Sequence, residues 1–173
     1  MQIVIIGNPY RASFFVKVID EWNDDIPSFR NGVFLLCIDG ELFPKSINTS
    51  TLNVDIPDVM DRLCGIPLNE KIFNMGKEDA YIEMYNMTFP KEGGCDYGCR
   101  FYISPPGLYD YNCYAFAVRS KSQVRFMAAR LKYVVDESAS DLSNAVISDA
   151  IITHDELNEI IFELSKIINP VAE

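Results

Sequence analysis

The chain has 173 residues, of which 49% are hydrophobic and 23% charged, and its formal net charge is −10 at pH 7. This composition is that of a folded protein, and the length suits a single domain, residues 1–173, with a substantial core. The negative charge disfavours nucleic acid or an anionic membrane as a partner, because both would be repelled, and it is compatible with a basic protein partner.

Short strands are predicted for the first part of the chain. Met1–Ile6 is an apolar run typical of a buried strand, and Phe14–Trp22 alternates between two faces, which indicates a second strand. Within Val33–Phe43, two apolar runs are separated by Asp39 and Gly40. Both of these residue types tolerate positive φ, so a tight β-hairpin is predicted there.

Two helices are predicted next. Asp55–Gly65 has Asp55 as a cap, Pro57 in its first turn and a glycine at its end. Lys77–Met87 is predicted as a helix with an inward face, formed by Ala80, Tyr81, Met84 and Tyr85. The prolines and glycines that follow predict an irregular loop up to Arg100.

Arg100–Val135 is the most strand-rich stretch, and a sheet is expected to resume at Arg100. Tyr114–Val118 is apolar on both faces, which favours a central position in the sheet. Ser120–Ser122 is a polar connection that predicts a second hairpin. The strand after it is predicted to have one buried and one wetter face, because apolar side chains recur every second residue, at Met127, Ala129, Leu131, Tyr133 and Val135.

The last part of the chain predicts a strand at Ala145–Ile152 and then an amphipathic helix. Thr153 and Glu156 have capping-box spacing at its start, and Pro170 ends it. Its apolar residues follow the 3.6-residue period: Leu157, Ile160, Ile161, Leu164, Ile167 and Ile168. The order of the elements predicts an α+β fold, a single domain with a mainly antiparallel β-sheet and a few packed helices, including this C-terminal one.

No residue is singled out as catalytic or metal-binding. Cys95 and Cys99 share one loop, but structural zinc needs four ligands, so two thiols able to form a disulfide on oxidation are the favoured interpretation. His154, the sole histidine, lies at a helix start, and an exposed position is favoured over a nucleophilic pair with a cysteine. Cys37 is interpreted as a small buried residue. We therefore predict no catalytic residue, no metal and no cofactor.

The sequence also favours a cytoplasmic location. The five cysteines are scattered and odd in number, unlike a disulfide framework. The N-terminus lacks the features of a secretory signal, and no run approaches the roughly 20 apolar residues that span a bilayer. Reduced thiols are therefore expected.

Two groups of acidic and aromatic residues are the candidates for partner binding. The first surrounds the only tryptophan, and the second lies on a proline-stiffened loop; their members are Glu21, Trp22, Asp24 and Asp25, and Tyr109, Asp110 and Tyr111. Two alternatives remain open: Trp22 covers the core beside a solvated turn, or the two tyrosines pack back on the edge of the sheet.

Several longer segments resemble the bacterial immunity protein 42 family. They are IIGNPY near the N-terminus, Asn31–Pro44, Thr51–Asn53, Arg100–Pro106 (RFYISPP) and Gln123–Ser138, so the resemblance covers nearly the whole chain. Such families occur in polymorphic toxin and contact-dependent growth inhibition systems. The resemblance implies a cytoplasmic protein that binds and neutralises one cognate toxin domain, and it assigns no catalytic or toxin-contact residue.

The predicted function is therefore that of a toxin-neutralising immunity protein and not of an enzyme. Toxin domains of this kind are often nucleases, and a nuclease needs a basic cleft that an acidic inhibitor can occupy as a phosphate mimic. Two alternatives are a small hydrolase that uses carboxylates, and an adaptor module of another complex.

Overall fold

The computed structural model describes residues 3–23, 29–94, 97–132, 142 and 145–168. Within them lie two antiparallel sheets and four α-helices, so the predicted α+β class is confirmed. The strands are β1 Val4–Gly7, β2 Ala12–Val18, β3 Asn31–Ile38, β4 Glu41–Phe43, β5 Ser50–Thr51, β6 Cys113–Arg119, β7 Gln123–Arg130 and β8 Ile147–Thr153. The helices are α1 Leu52–Cys64, α2 Glu70–Phe73, α3 Lys77–Thr88 and α4 His154–Ile168.

The first sheet has the order β1-β2-β3-β4, with β5 paired to the other end of β3. Its predicted hairpin is confirmed: Asp39 and Gly40 connect β3 to β4 with φ values of 53° and 78°. Both values lie in the left-handed region that a tight primed turn requires. The second predicted strand ends earlier than expected, at Val18, and Asp20–Trp22 forms a 3-10 turn instead.

The second sheet has the order β6-β7-β8, and both of its faces are covered. β7 buries every residue from Val124 to Ala129, so the prediction of one wetter face is wrong. Alternate residues of β7 point into two different cores: Phe126 belongs to the first and Met127 to the second. Tyr133 and Val135 lie outside the described residues.

β6 is an edge strand, so its predicted central position is wrong, although its apolar character is explained. Ser104 Oγ accepts a hydrogen bond from the Ala115 N–H at 2.8 Å, and the Ile103 N–H donates to the Ala115 carbonyl at 3.0 Å. The segment before β6 therefore covers its edge without forming a strand. Arg100 itself lies in a 3-10 turn, and Pro105 and Pro106 lack the N–H groups that a longer ladder would need.

The predicted helices are confirmed, and only α1 starts at a residue other than the predicted one. α1 begins at Leu52, three residues before the predicted start, so Pro57 lies inside it. Asp55 still caps the helix, although it lies in the first turn and not before it. Its carboxylate accepts a hydrogen bond from the backbone N–H of Thr51 at 3.0 Å. α3 buries Ala80, Tyr81 and Met84, as predicted.

Two hydrophobic cores share the second sheet. The first fills the space between the two sheets and includes the buried faces of α1 and α4, with Phe14, Leu36 and Ile56 among its members. The second lies on the opposite face of the second sheet, beneath α2 and α3, and contains Tyr81 and Phe116. The short α2, which the sequence analysis did not predict, contributes Ile72 and Phe73 to this second core.

α4 begins with the predicted capping box. The Thr153 N–H donates to Glu156 Oε2 at 2.7 Å, and the Glu156 N–H donates to Thr153 Oγ1 at 3.2 Å. Glu156 also pairs with Arg11 of the loop between β1 and β2, so the cap joins α4 to the first sheet. The pKa of Glu156 lies below its ordinary value of 4.5, mainly because the carboxylate accepts the hydrogen bond from the Thr153 backbone N–H. The positive charge of Arg11 lowers this pKa further.

We expect this cap to make stability depend on acid pH. A carboxylate whose pKa is lowered by folding stabilises the fold above its unfolded pKa, and the gain is lost as the pH falls through the folded pKa. In urea unfolding, Glu156→Gln should therefore be less stable than the unsubstituted protein at pH 7, and the gap should narrow at pH 3. A gap of equal size at both pH values would contradict this role, and Glu83→Gln, at an exposed position of α3, is the matched control.

Candidate partner-binding surfaces

Glu21 and Trp22 lie in the 3-10 turn that follows β2, and this turn buries none of its residues. The backbone N–H of Trp22 donates to the Ile19 carbonyl at 3.0 Å, and the side-chain amide of Asn31 donates to the backbone carbonyl of Trp22 at 2.9 Å. The backbone of the turn is thereby fixed to β3, while 41% of Trp22 stays exposed. The alternative in which Trp22 covers the core is not supported. Asp24 and Asp25 lie outside the described residues.

Tyr109, Asp110 and Tyr111 form a 3-10 turn that leads into β6. Leu108, fully buried, anchors the turn from beneath, so the three residues are presented at a fixed position. Tyr109 is 62% exposed, although its ring meets the ring of Tyr114 edge to face at 5.7 Å. Asp110 is exposed, whereas Tyr111 is half-buried against the first core, so the packed-back alternative holds for Tyr111.

The two candidate groups are attached to different parts of the fold. The Trp22 turn adjoins β3 of the first sheet, and the Tyr109 turn adjoins β6 of the second sheet. Both present an aromatic ring beside a carboxylate, which is a combination suited to protein contacts because the ring supplies area and the acid supplies charge.

A third feature was missed by the sequence analysis: a groove of about 400 Å³ between β1 and α4. β1 is not the buried strand that was predicted, since Val4 is 41% and Ile5 is 49% exposed. Three glutamates of α4, Glu156, Glu159 and Glu163, line the opposite wall. Their spacing of three and four residues was the available signal, because it places them on one face of a helix.

Two of the described cysteines are poorly suited to nucleophilic chemistry, whereas a third, Cys64, is an exposed free thiol. Cys37 and Cys113 are buried free thiols, and burial raises the pKa of each, which keeps it protonated at neutral pH. The prediction that Cys37 is a small buried residue is confirmed. Cys99 is disulfide-bonded, so the expectation of reduced thiols is wrong at this position. Cys95 lies outside the described residues.

In the part of the chain that the structure describes, no group of three or more His, Cys, Asp or Glu side chains is placed to hold a metal ion. His154 is half-buried at the first position of α4, less exposed than predicted. None of the helices in the described ranges has the length and apolar character needed to cross a bilayer.

An α+β domain whose surface offers exposed aromatic rings beside carboxylates has the chemistry of a protein-binding module. Comparison with known families makes the class specific. The chain belongs to the immunity protein 42 family, whose model matches residues 4–167. The resemblance drawn from the sequence segments is thereby confirmed.

A solved structure supports the fold assignment. The crystal structure of CdiI from Burkholderia dolosa is similar to this chain with a TM-score of 0.70, covering 94% of this chain and 98% of that one. The two sequences are 20% identical, so the similarity shows a shared fold. No curated protein matches the chain significantly.

Proposed function

We propose that this protein binds one cognate toxin domain in the cytoplasm and neutralises it by stoichiometric binding, without catalysis. The observation that carries the proposal is membership of an immunity protein family across residues 4–167, nearly the whole chain. The similarity in fold to a CdiI protein supports a role in contact-dependent growth inhibition. In this role the fold serves as a scaffold for a specific protein surface.

The charge of the chain favours a basic target, and we propose that the toxin is a nuclease. A nuclease holds phosphates in a basic cleft, and a protein of net charge −10 is attracted to such a cleft over several ångströms. The proposed contacts are the two groups named above: Glu21, Trp22, Asp24 and Asp25, and Tyr109, Asp110 and Tyr111. The aromatic rings would supply contact area and the carboxylates would face lysines and arginines.

The first experiment is co-expression with the toxin domain encoded immediately upstream. Restored growth together with co-purification of a one-to-one complex is the expected result. Persistent toxicity without a complex would contradict the proposal, and toxin turnover by catalytic amounts of this protein would contradict the stoichiometric mechanism.

Charge reversal should show whether the proposed acids steer the toxin. Replacing Asp24, Asp25 and Asp110 with lysine is expected to slow association by about tenfold or more at low salt, because steering depends on local potential. Stopped-flow association rates at two salt concentrations measure the effect, and the thermal midpoint checks the fold.

A matched control separates local from overall charge. Asp61, Glu83 and Glu92 are exposed acids on α1, α3 and the loop after α3, and reversing all three changes the net charge by the same amount. Equal association rates for the two triple variants would show that the proposed placement is wrong.

A further inference from the structure

β1 forms one edge of the first sheet. β1 is the terminal strand of the first sheet, and among the described residues no strand pairs with its outer side. An edge strand presents a row of backbone N–H and C=O groups that can accept a further strand. Here the edge forms one wall of the groove with α4, and its side chains Val4 and Ile5 are 41% and 49% exposed.

The pairing register identifies which backbone groups face outward. Val4 opposes Val16 and Ile6 opposes Phe14, and the Asn8 N–H donates to the Ala12 carbonyl at 3.1 Å. In an antiparallel pair, alternate residues bond to the neighbouring strand, so the even-numbered residues of β1 bond to β2. The N–H and C=O groups of Ile5 therefore point away from β2, toward the open edge.

The groove is apolar at its base and acidic along one wall. Ile152 and Ile160 line it together with β1, and Glu156, Glu159 and Glu163 project from α4. Glu156 is held by the cap and by Arg11, whereas Glu159 is exposed and Glu163 pairs at the surface with Lys166 at 2.6 Å. Among the described residues that line the groove, none is a lysine or an arginine.

We propose that this groove binds an extended segment of the toxin that carries lysine or arginine side chains. The segment adds as a strand to the outer edge of β1, and its basic side chains meet Glu159 and Glu163. This inference rests on the proposed function and names a surface separate from the two aromatic groups. Charge complementarity selects a basic occupant, because a second copy of this chain would bring its own three glutamates against these three.

The strand pairing is tested by removing one outward N–H. Proline is tolerated on an edge strand where its missing N–H faces outward, so Ile5→Pro should preserve the β1–β2 ladder. We expect this variant to bind the upstream-encoded toxin domain at least tenfold more weakly than Ile5→Ala, which removes the same side chain and keeps the N–H. Equal affinities for the two variants would overturn strand addition.

Amide exchange tests the same pairing without any substitution, in case Ile5→Pro fails to fold. When the unsubstituted protein binds the toxin domain, hydrogen exchange at the Ile5 amide should slow at least tenfold, because this N–H gains a partner. The Ile6 amide, which already faces β2, should change much less. An unchanged Ile5 rate in a formed complex would overturn the proposal.

The acidic wall is tested by the pair of substitutions Glu159→Lys and Glu163→Lys. The matched control, Glu83→Lys with Glu92→Lys, changes the net charge equally at exposed sites. We expect the groove variant to bind at least tenfold more weakly than the control, and a difference below twofold would overturn the role of the two glutamates.

The outcomes also separate this inference from the proposed function. If the unsubstituted protein protects cells and the groove variants bind equally well, the surface assignment fails while the immunity function stands. If the unsubstituted protein neither protects nor binds, both fail. A dimer in light scattering that Ile5→Pro abolishes would assign the edge to a second copy and overturn the toxin segment as occupant.

Discussion

Asp149→Ala is expected to lower the free energy of unfolding by about 3–5 kcal/mol, because it leaves a buried guanidinium without its counter-ion. Arg125 is 6% exposed, and its Nε and Nη2 atoms donate to the two carboxylate oxygens of Asp149 at 2.9 and 2.6 Å. Its Nη1 atom donates to the carbonyls of Phe73 and Met75 at 2.9 and 2.8 Å. One side chain thus joins β7, β8 and the end of α2.

The charge, and not the lost contact alone, should account for most of this effect. Replacing both partners, as Arg125→Met with Asp149→Leu, removes the charge pair and fills the space with apolar atoms. We expect the double variant to be clearly more stable than Asp149→Ala, although the carbonyls of Phe73 and Met75 lose their donor. Urea unfolding at pH 7 measures both variants. A decrease of less than about 1 kcal/mol in the free energy of unfolding for Asp149→Ala would contradict the view that buried Arg125 needs Asp149 as its counter-ion.

Gly32→Ala is expected to destabilise the first sheet by about 3 kcal/mol, at the upper end of overpacking effects. A Cβ atom at Gly32 would lie 2.1 Å from the Lys17 carbonyl oxygen and 2.8 Å from Leu52 Cδ1. The carbonyl belongs to the paired strand β2, so relief of this clash requires the β2–β3 ladder to separate locally. Thermal and urea unfolding should both show the loss.

Gly65→Ala is the matched control for this clash. Gly65 follows α1, and a Cβ atom there would meet the Asp61 carbonyl oxygen at 3.4 Å, which is ordinary contact. Alanine reduces the freedom of the unfolded chain, so a change within about 1 kcal/mol, in the stabilising direction, is expected. If Gly32→Ala and Gly65→Ala lowered the free energy of unfolding by similar amounts, the steric clash at Gly32 would not be the cause of its destabilisation.

Local signals in the sequence predicted the local parts of the fold. The Asp39–Gly40 turn, the Thr153–Glu156 capping box and the apolar face of α4 depend on residues close together in the chain, and all three are confirmed. The exposure of Trp22 and Tyr109 was left open by the sequence, because each ring could also pack against the fold, and the structure shows both to be exposed. Their role in binding remains a prediction.

The wrong predictions concern contacts between distant segments. The face of β7 expected to be wetter is buried because residues far away in sequence cover it. β6 is apolar on both faces, as a central strand would be, yet its edge is covered by the segment that contains Ser104. The groove beside β1 was missed for the same reason, since edge position is a property of the assembled sheet and not of the strand.

The sharing of the second sheet by two cores has a consequence for how the molecule responds to damage. Phe126 and Met127 are neighbours in the chain, yet one packs between the sheets and the other beneath α2 and α3. If either core loosens, one face of β7 loses its packing. Because Phe126 and Met127 are joined by one peptide bond, a displacement of β7 on one side also disturbs the core on the other side. We therefore expect the two cores to unfold together as one cooperative unit, so that a spectroscopic label on either side chain would report on both.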